Sequence, residues 1–294
     1  IALFPSFKTL DKEDRPFFLE YFKQHKLTLS EYAFSNIFIW RDVDETLLTQ
    51  INSNICLLVT SLDNKKYFMM PLGTNEIIKT INTCLSYSNK MIRLSSYFID
   101  TYAVKDPNFI VEEDRNSFDY VYKTQDLIEL KGRKYDGKRN HINNFLKKYN
   151  FIYETMENAH IEECLSLNEI WYNQKISNKV ETPSIFKYER HVVKEAFKNL
   201  NFLGLKGGVI KIDGKIEAFS LGEKLNCDTA VIYIEKTNPA IRGISQIINR
   251  EFIRHEWPDT IFINREQDLG YPGLRKAKLS YQPVHFEKKF NISL

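Results

Sequence analysis

The sequence predicts an α/β (α+β) fold made of two tandem domains, each a mixed central sheet flanked by helices. Three observations carry this. At 294 residues the chain exceeds the usual size of one domain. Helical and strand-like patterns alternate along its whole length rather than falling into separate blocks. Both halves also run helix, helix, strands, helix, strand, although no sequence identity between them is visible. A 43% hydrophobic and 27% charged composition excludes a disordered or fibrous chain, and 21 Phe with 16 Tyr suit a β-rich core of large side chains.

The first domain is expected over residues 1–125. Residues 11–25 read as a helix with Phe18, Leu19, Tyr21 and Phe22 on its apolar side. Ser30 is placed to cap a second helix carrying Phe34, Ile37 and Phe38. Strand-like runs follow at 46–51, 55–60 and 67–71. Asn75 is then expected to cap a helix in which Ile77, Ile78, Ile81, Cys84 and Leu85 recur at helical spacing. Later strands are expected at 91–94 and 118–122.

Residues 126–150 form a basic connecting segment. Its helix, 136–149, aligns Ile142, Phe145, Leu146 and Tyr149 on one face, with Lys138, Asn140, Asn143, Asn144, Lys147 and Lys148 over most of the rest.

The second domain is expected over 151–294. A short strand at 151–155 precedes helices at 158–174 and 183–199, the latter starting at Pro183, a residue suited to a first helical position. A short strand is expected at 202–206, and strands at 209–212 and 216–225 flank Asp213-Gly214, a strong two-residue hairpin signal. Another strand, 229–236, is broken by Asn238-Pro239. A helix at 243–257, a buried strand at 260–264 and a closing strand at 281–290 complete the domain.

Bulk properties limit the function classes. A net charge of +3 is too small to imply a nucleic-acid partner unless the charge clusters locally. Cys56, Cys84, Cys164 and Cys227 form no C-x-x-C pair and the six His are scattered, so neither a disulfide framework nor a metal site is expected. No tightly bound cofactor is expected either. The first residues show no signal-peptide pattern, and a reducing cytoplasm is the default expectation. The most apolar windows, 33–40 and 55–59, fall far short of the ~20 residues that span a bilayer, so membrane contact would be peripheral.

Four groups of residues can carry chemistry. In the turn and helix start Asn238-Pro-Ala-Ile-Arg-Gly-Ile-Ser-Gln246, unpaired N–H groups and the helix dipole favour an anion. Arg242, Gly243, Ser245 and Gln246 are its candidate ligands; a plain strand-to-helix turn is the alternative. In Ile263-Asn-Arg-Glu-Gln-Asp-Leu-Gly270 and Gly273-Leu-Arg-Lys-Ala-Lys-Leu-Ser280, an apolar strand empties into a dense polar run. Asn264, Arg265, Glu266, Asp268, Lys276 and Lys278 are candidates there, against a solvated loop. Lys131, Arg133, Lys134, Lys138 and Arg139 can pair with phosphates of RNA, of a cofactor or of anionic lipid, or simply face solvent. Glu235, ending its strand, can orient an amine, or lie at a sheet edge.

The order hairpin, strand, phosphate-binding helix, strand, polar loop, final strands resembles the GNAT acyltransferase fold. More narrowly, Phe219-Ser-Leu-Gly-Glu-Lys224, Ile234-Glu-Lys236, Gln246-Ile-Ile-Asn-Arg-Glu-Phe252, the run to Gly270 and Gly273-Leu-Arg-Lys-Ala-Lys-Leu-Ser-Tyr-Gln-Pro283 resemble the phosphatidylglycerol lysyltransferase C-terminal domain family, as does Leu130-Lys-Gly-Arg-Lys-Tyr-Asp-Gly-Lys-Arg-Asn-His-Ile-Asn-Asn-Phe145. The motifs cover about 130 to the C-terminus, and residues before 125 match in overall pattern only. The resemblance implies tandem GNAT-like domains, as in Fem-type aminoacyltransferases and lysyl-phosphatidylglycerol synthases, which take aminoacyl-tRNA as donor. Acetyl-CoA-using GNAT proteins carry Q/R-x-x-G-x-G/A at the pyrophosphate loop. Of Ala240-Ile-Arg-Gly-Ile-Ser245, only the central Gly fits.

Acyl transfer requires deprotonating a nucleophile, stabilising an oxyanion and protonating a leaving group. An aminoacyl donor also brings an α-ammonium in need of a carboxylate. Asp268 or Glu266 is expected as that carboxylate or as base, and Arg265 and Lys276 as oxyanion or phosphate partners. The pocket is expected between the strands at 229–236 and 260–264, and Lys131 to Lys148 form the expected docking face for a tRNA acceptor stem. Three functions stay open: aminoacyl transfer from aminoacyl-tRNA, acyl transfer from acyl-CoA, and non-catalytic RNA or ligand binding on the same fold.

Overall fold

The computed structural model describes residues 1–61, 63–104, 106–177 and 184–294; the expected helix start at Pro183 lies outside these. The chain forms two compact units. One comprises residues 1–119, 267–272 and 286–294, the other 120–266 and 273–285. The expected divisions at 125 and 150 fall elsewhere. The chain changes unit at Asp119/Tyr120, the basic segment 126–150 lies inside the second unit, and the last strand returns to the first. These strands pair with partners more than a hundred residues away, which no local pattern encodes.

The elements in chain order are β1 (Lys8–Thr9), α1 (Arg15–Gln24), α2 (Phe34–Trp40), β2 (Leu47–Ile51), β3 (Asn54–Thr60), β4 (Lys66–Phe68), α3 (Ile77–Ser88), β5 (Lys90–Ser95), α4 (Ser96–Phe98) and β6 (Ile110–Glu113). There follow β7 (Asp119–Lys123), α5 (Thr124–Glu129), α6 (Asp136–Leu146), β8 (Phe151–Thr155), α7 (Ile161–Ser177), α8 (Ser184–Lys198), α9 (Leu200–Leu203), β9 (Lys206–Ile212), β10 (Lys215–Lys224), β11 (Thr229–Thr237), α10 (Ile244–Glu256), β12 (Phe262–Asn264), α11 (Pro272–Leu279), β13 (His285–Glu287) and β14 (Lys289–Ser293).

The first sheet runs β1-β2-β3-β4-β5-β14-β6. Pairing is antiparallel except between β4 and β5, and β14 runs antiparallel to both β5 and β6. Ile77, Ile81, Cys84 and Leu85 of α3 meet Leu58, Phe68, Met91 and Ile292 in its core. Two expected caps do other work. Ser30 opens a 3₁₀ turn rather than α2, giving its N–H to Asp119 (2.9 Å) and its hydroxyl to Glu31 (3.3 Å). Asn75 bonds the Asn54 side chain and the Asn52 carbonyl, so α3 starts after Glu76 without a side-chain cap.

The Asp119 and Glu31 carboxylates share one buried cation. Lys289, from β14, donates to Asp119 (2.6 Å) and to Glu31, and all three side chains are buried. Burial opposes the Lys289 charge, but Asp119 and Glu31 outweigh it and hold its pKa above the ordinary lysine value.

The second sheet runs β13-β7-β12-β11-β10-β9-β8. The Asp213-Gly214 turn forms as expected. Both residues have positive φ (+50° and +80°), and Ile212 faces Lys215 across the hairpin. The expected closing strand at 281–290 is split between the two sheets: β13 edges the second, and β14 enters the first. Helix α10 buries Ile244, Ile247, Ile248 and Phe252, the 3.6-residue stripe its sequence shows.

Candidate active site

β11 and β12 pair in parallel over three residues only: Thr229 with Phe262, Ala230 with Ile263 and Val231 with Asn264. Beyond Val231, β11 continues to Thr237 bonded to β10, so its β12 side is open. The β10–β11 register shifts at Leu221/Gly222, where a Cβ on Gly222 would lie 2.3 Å from the Val231 carbonyl oxygen. That glycine lets the two backbones close up where β12 departs. The two strands thus stop pairing where the pocket is expected.

The loop after β12 is fixed by its backbone. Arg265 donates its N–H to the Tyr120 carbonyl (3.0 Å), Tyr120 donates to the Glu266 carbonyl (3.2 Å), and the buried Asn264 side chain accepts the Glu266 N–H (2.8 Å). Lys278 of α11 donates to the Arg265 and Glu266 carbonyls. These bonds hold Glu266 at a φ of +55°, an uncommon conformation for a residue with a Cβ.

Across the opening, Arg265 Nη2 meets Glu235 Oε2 at 3.3 Å, and Asn249 Nδ2 donates to the same oxygen at 3.2 Å. The guanidinium carbon lies 4.9 Å from the centre of the Tyr281 ring. Lys138 Nζ stands 3.8 Å from that same centre, and the Gln246 side chain lies beside the Tyr281 phenol. Arg265 Nη1 is buried with no hydrogen-bond acceptor among the described residues. A buried guanidinium N–H without a partner is costly.

Burial sets the electrostatics. It lowers Lys138 to about 8, with the Arg265 charge adding to the effect and Glu235 opposing it. It raises the Tyr281 phenol to about 12. It also opposes the Arg265 charge, but Glu235 and the two neighbouring phenols, Tyr122 and Tyr281, hold that residue above its ordinary value. One corner therefore offers a carboxylate, a fixed guanidinium and an amine whose neutral form is accessible near neutral pH.

The expected residues separate into three sets. Arg265, Glu235, Lys138 and Gln246 are brought together, with Asn264, Glu266 and Lys278 building the loop beside them. Asp268 is not part of this cluster. It lies in the first unit, fully buried, paired with Arg115 at 3.3 Å and accepting the Gly270 N–H at 2.8 Å. A carboxylate so enclosed holds a loop in shape. Lys276 is exposed on α11.

The α10 turn has its own structural demand. Gly243 has φ +95°, and a Cβ there would meet the His141 carbonyl oxygen at 2.7 Å and Phe145 Cβ at 3.0 Å. The glycine thus serves close packing on α6. Arg242 is exposed and Ser245 half-buried.

The basic segment is also less uniform than its sequence. Lys131 and Arg133 are exposed, Lys131 beside Glu129 (2.9 Å). Arg139 clips its own turn, donating to the Leu130 and Gly132 carbonyls and to Asp136. Lys138 turns inward over Tyr281.

Tyr281, Tyr122 and Asn249 were absent from the sequence candidates. Asn249 had a signal: it is a polar residue on the apolar face of α10, one turn after Gln246. Tyr281 had only its place in the run ending at Pro283.

Residues 22–293 match the family model described as phosphatidylglycerol lysyltransferase, C-terminal. The chain belongs to that family. Its two mixed sheets flanked by helices are the fold class the sequence led us to expect. Among solved structures, a conserved protein of unknown function from Bacteroides thetaiotaomicron is 32% identical, with a TM-score of 0.87 over 98% of this chain and 99% of that one. L-PGS from Bacillus licheniformis shares the fold at 11% identity, with a TM-score of 0.64 over 95% of this chain and 91% of that one. An uncharacterized protein of Mycoplasmoides gallisepticum is 25% identical over 181 residues, 61% of this chain and 57% of that protein. No helix among the described residues is long and apolar enough to cross a membrane.

Proposed function

We propose that this chain is an aminoacyltransferase that moves an amino acid from aminoacyl-tRNA to an amine or hydroxyl on a lipid or small molecule. The observation that carries the reading is the Glu235 carboxylate held at the strand opening by Arg265 and Asn249, beside Lys138. An aminoacyl ester has an α-ammonium for a carboxylate to bind and a carbonyl whose oxygen becomes anionic on attack. Glu235 answers the first need. The unpartnered Arg265 Nη1 answers the second.

In this mechanism the acceptor's nitrogen or oxygen attacks the ester carbonyl carbon and gives up a proton to the neutral form of Lys138. Collapse of the tetrahedral intermediate breaks the bond to the tRNA ribose, whose oxygen takes the proton back from Lys138. Lys131, Arg133, Lys147 and Lys148, all exposed, offer a docking face for the tRNA acceptor stem, or for anionic headgroups at a membrane surface. Acyl-CoA as donor is less well supported, because close packing on α6 already explains the glycine of its expected anion turn.

The test is incubation at pH 8 with labelled, mixed charged tRNAs and cell extract. Label is expected to move to an acceptor with the wild type and not with Glu235→Gln, and tRNA binding is expected to weaken steeply with salt. Turnover with acetyl-CoA, and none with charged tRNA, overturns the reading.

A further inference from the structure

The first unit holds a cavity of about 500 Å³, within the ~300–1,000 Å³ of small-molecule sites. Its floor is Tyr32, whose hydroxyl donates to the Arg93 carbonyl (2.9 Å) and accepts the Met70 N–H (2.7 Å), leaving it no spare donor. Its walls are aromatic. Tyr21 stacks on His25 at 4.1 Å, and Tyr102 packs edge-on against Phe98 at 5.3 Å. Tyr97 stands 72% exposed beside them, an unusual amount of ring to leave in water.

The phenols of Tyr97 and Tyr102 have no hydrogen-bond partner among the described residues, and they share one electrostatic neighbourhood with the Tyr21 phenol. Among the described residues the lining includes no carboxylate. Its charge-bearing side chains are His25 and Lys26, both exposed.

We propose that this cavity binds a neutral polyhydroxylated ring, a sugar or cyclitol. Aromatic faces stack on the C–H face of such a ring, while unengaged phenols both donate to and accept from its hydroxyls. A quaternary ammonium also suits a tyrosine cage, but this cage has no carboxylate and a basic rim. An acyl chain would leave two phenols unbonded as it covered them. The site does not rest on the transfer reaction proposed above.

Calorimetry or saturation-transfer NMR with N-acetylglucosamine, cellobiose and myo-inositol tests this, with choline and octanoate as contrasts. A neutral ring is expected to bind. Tyr97→Ala is expected to weaken it about tenfold, and Tyr102→Phe, which keeps the ring and removes only the hydroxyl, roughly fivefold. Melting temperatures of both variants should stay near that of the wild type. The proposal is overturned if none of the three binds up to about 50 mM, if binding is equal in wild type and both variants, or if choline or octanoate binds in their place.

Discussion

Each unit keeps a buried or half-buried lysine, and the two are held in opposite ways. Lys289 in the first unit is fully buried and has two carboxylates, Asp119 and Glu31, within bonding distance. Lys138 in the second is half-buried on the Tyr281 ring and has no salt-bridge partner among the described residues. Burial penalises the charge of both, and the number of nearby counter-charges decides the outcome: Lys289 is raised, Lys138 lowered to about 8. A lysine enclosed by two carboxylates is held charged and ties its strands together. A cluster left short of a partner is free to do chemistry.

Breaking the closed cluster should have the largest effect. Lys289→Met leaves Asp119 and Glu31 buried without their cation and is expected to cost about 3–5 kcal/mol of stability, measured by urea denaturation. In the open cluster the equivalent test should disturb the fold less. Glu235→Gln is expected to reduce aminoacyl transfer by roughly 10²–10³-fold, with a smaller loss of stability than Lys289→Met, because Arg265 loses its carboxylate but keeps its phenol neighbours. Asp268→Asn checks the assignment of that carboxylate to structure: about 1–3 kcal/mol of stability lost, with transfer retained by the protein that stays folded. An activity loss at unchanged stability would return Asp268 to the site.

The smallest effect concerns pH. Lys138 titrates at about 8 in the folded chain, below the ordinary lysine value. Between those values the unfolded chain binds more protons, so the Lys138 contribution to stability rises with pH there; below about 8 both states are charged and its cost is fully present. Denaturation of wild type against Lys138→Met is expected to differ in slope across that window. Equal slopes would place Lys138 in solvent.

Local pattern made much of this legible in the sequence. The Asp213-Gly214 turn, the α10 stripe and the strand ending at Asn264 each follow from neighbours a few residues apart. The candidates Glu235 and Arg265 were picked out in the same way, Glu235 near the end of β11 and Arg265 just after β12. Lys138 was read as part of a basic face that pairs with phosphate or faces solvent, yet it heads the row Lys138, Ile142, Phe145, Tyr149, spaced four, three and four, and so lies on the apolar face of α6. Its partner Tyr281 is remote in sequence, as are the Asp119–Lys289 and Arg115–Asp268 pairs. Long-range pairings depend on which strands become neighbours, and the pattern within a strand does not say.

The place of β14 sets an order of events. The first sheet needs residues 289–293 between β5 and β6, so a ribosome making ~5–20 residues per second delivers its last strand many seconds after the first. Every strand of the second sheet is synthesised before that. During synthesis Asp119 and Glu31 must wait in water for Lys289. Residues 1–113 are made before 120–266 yet completed after them, and a ribosome that stalls before residue 289 should leave that earlier segment, rather than residues 120–266, open to proteases.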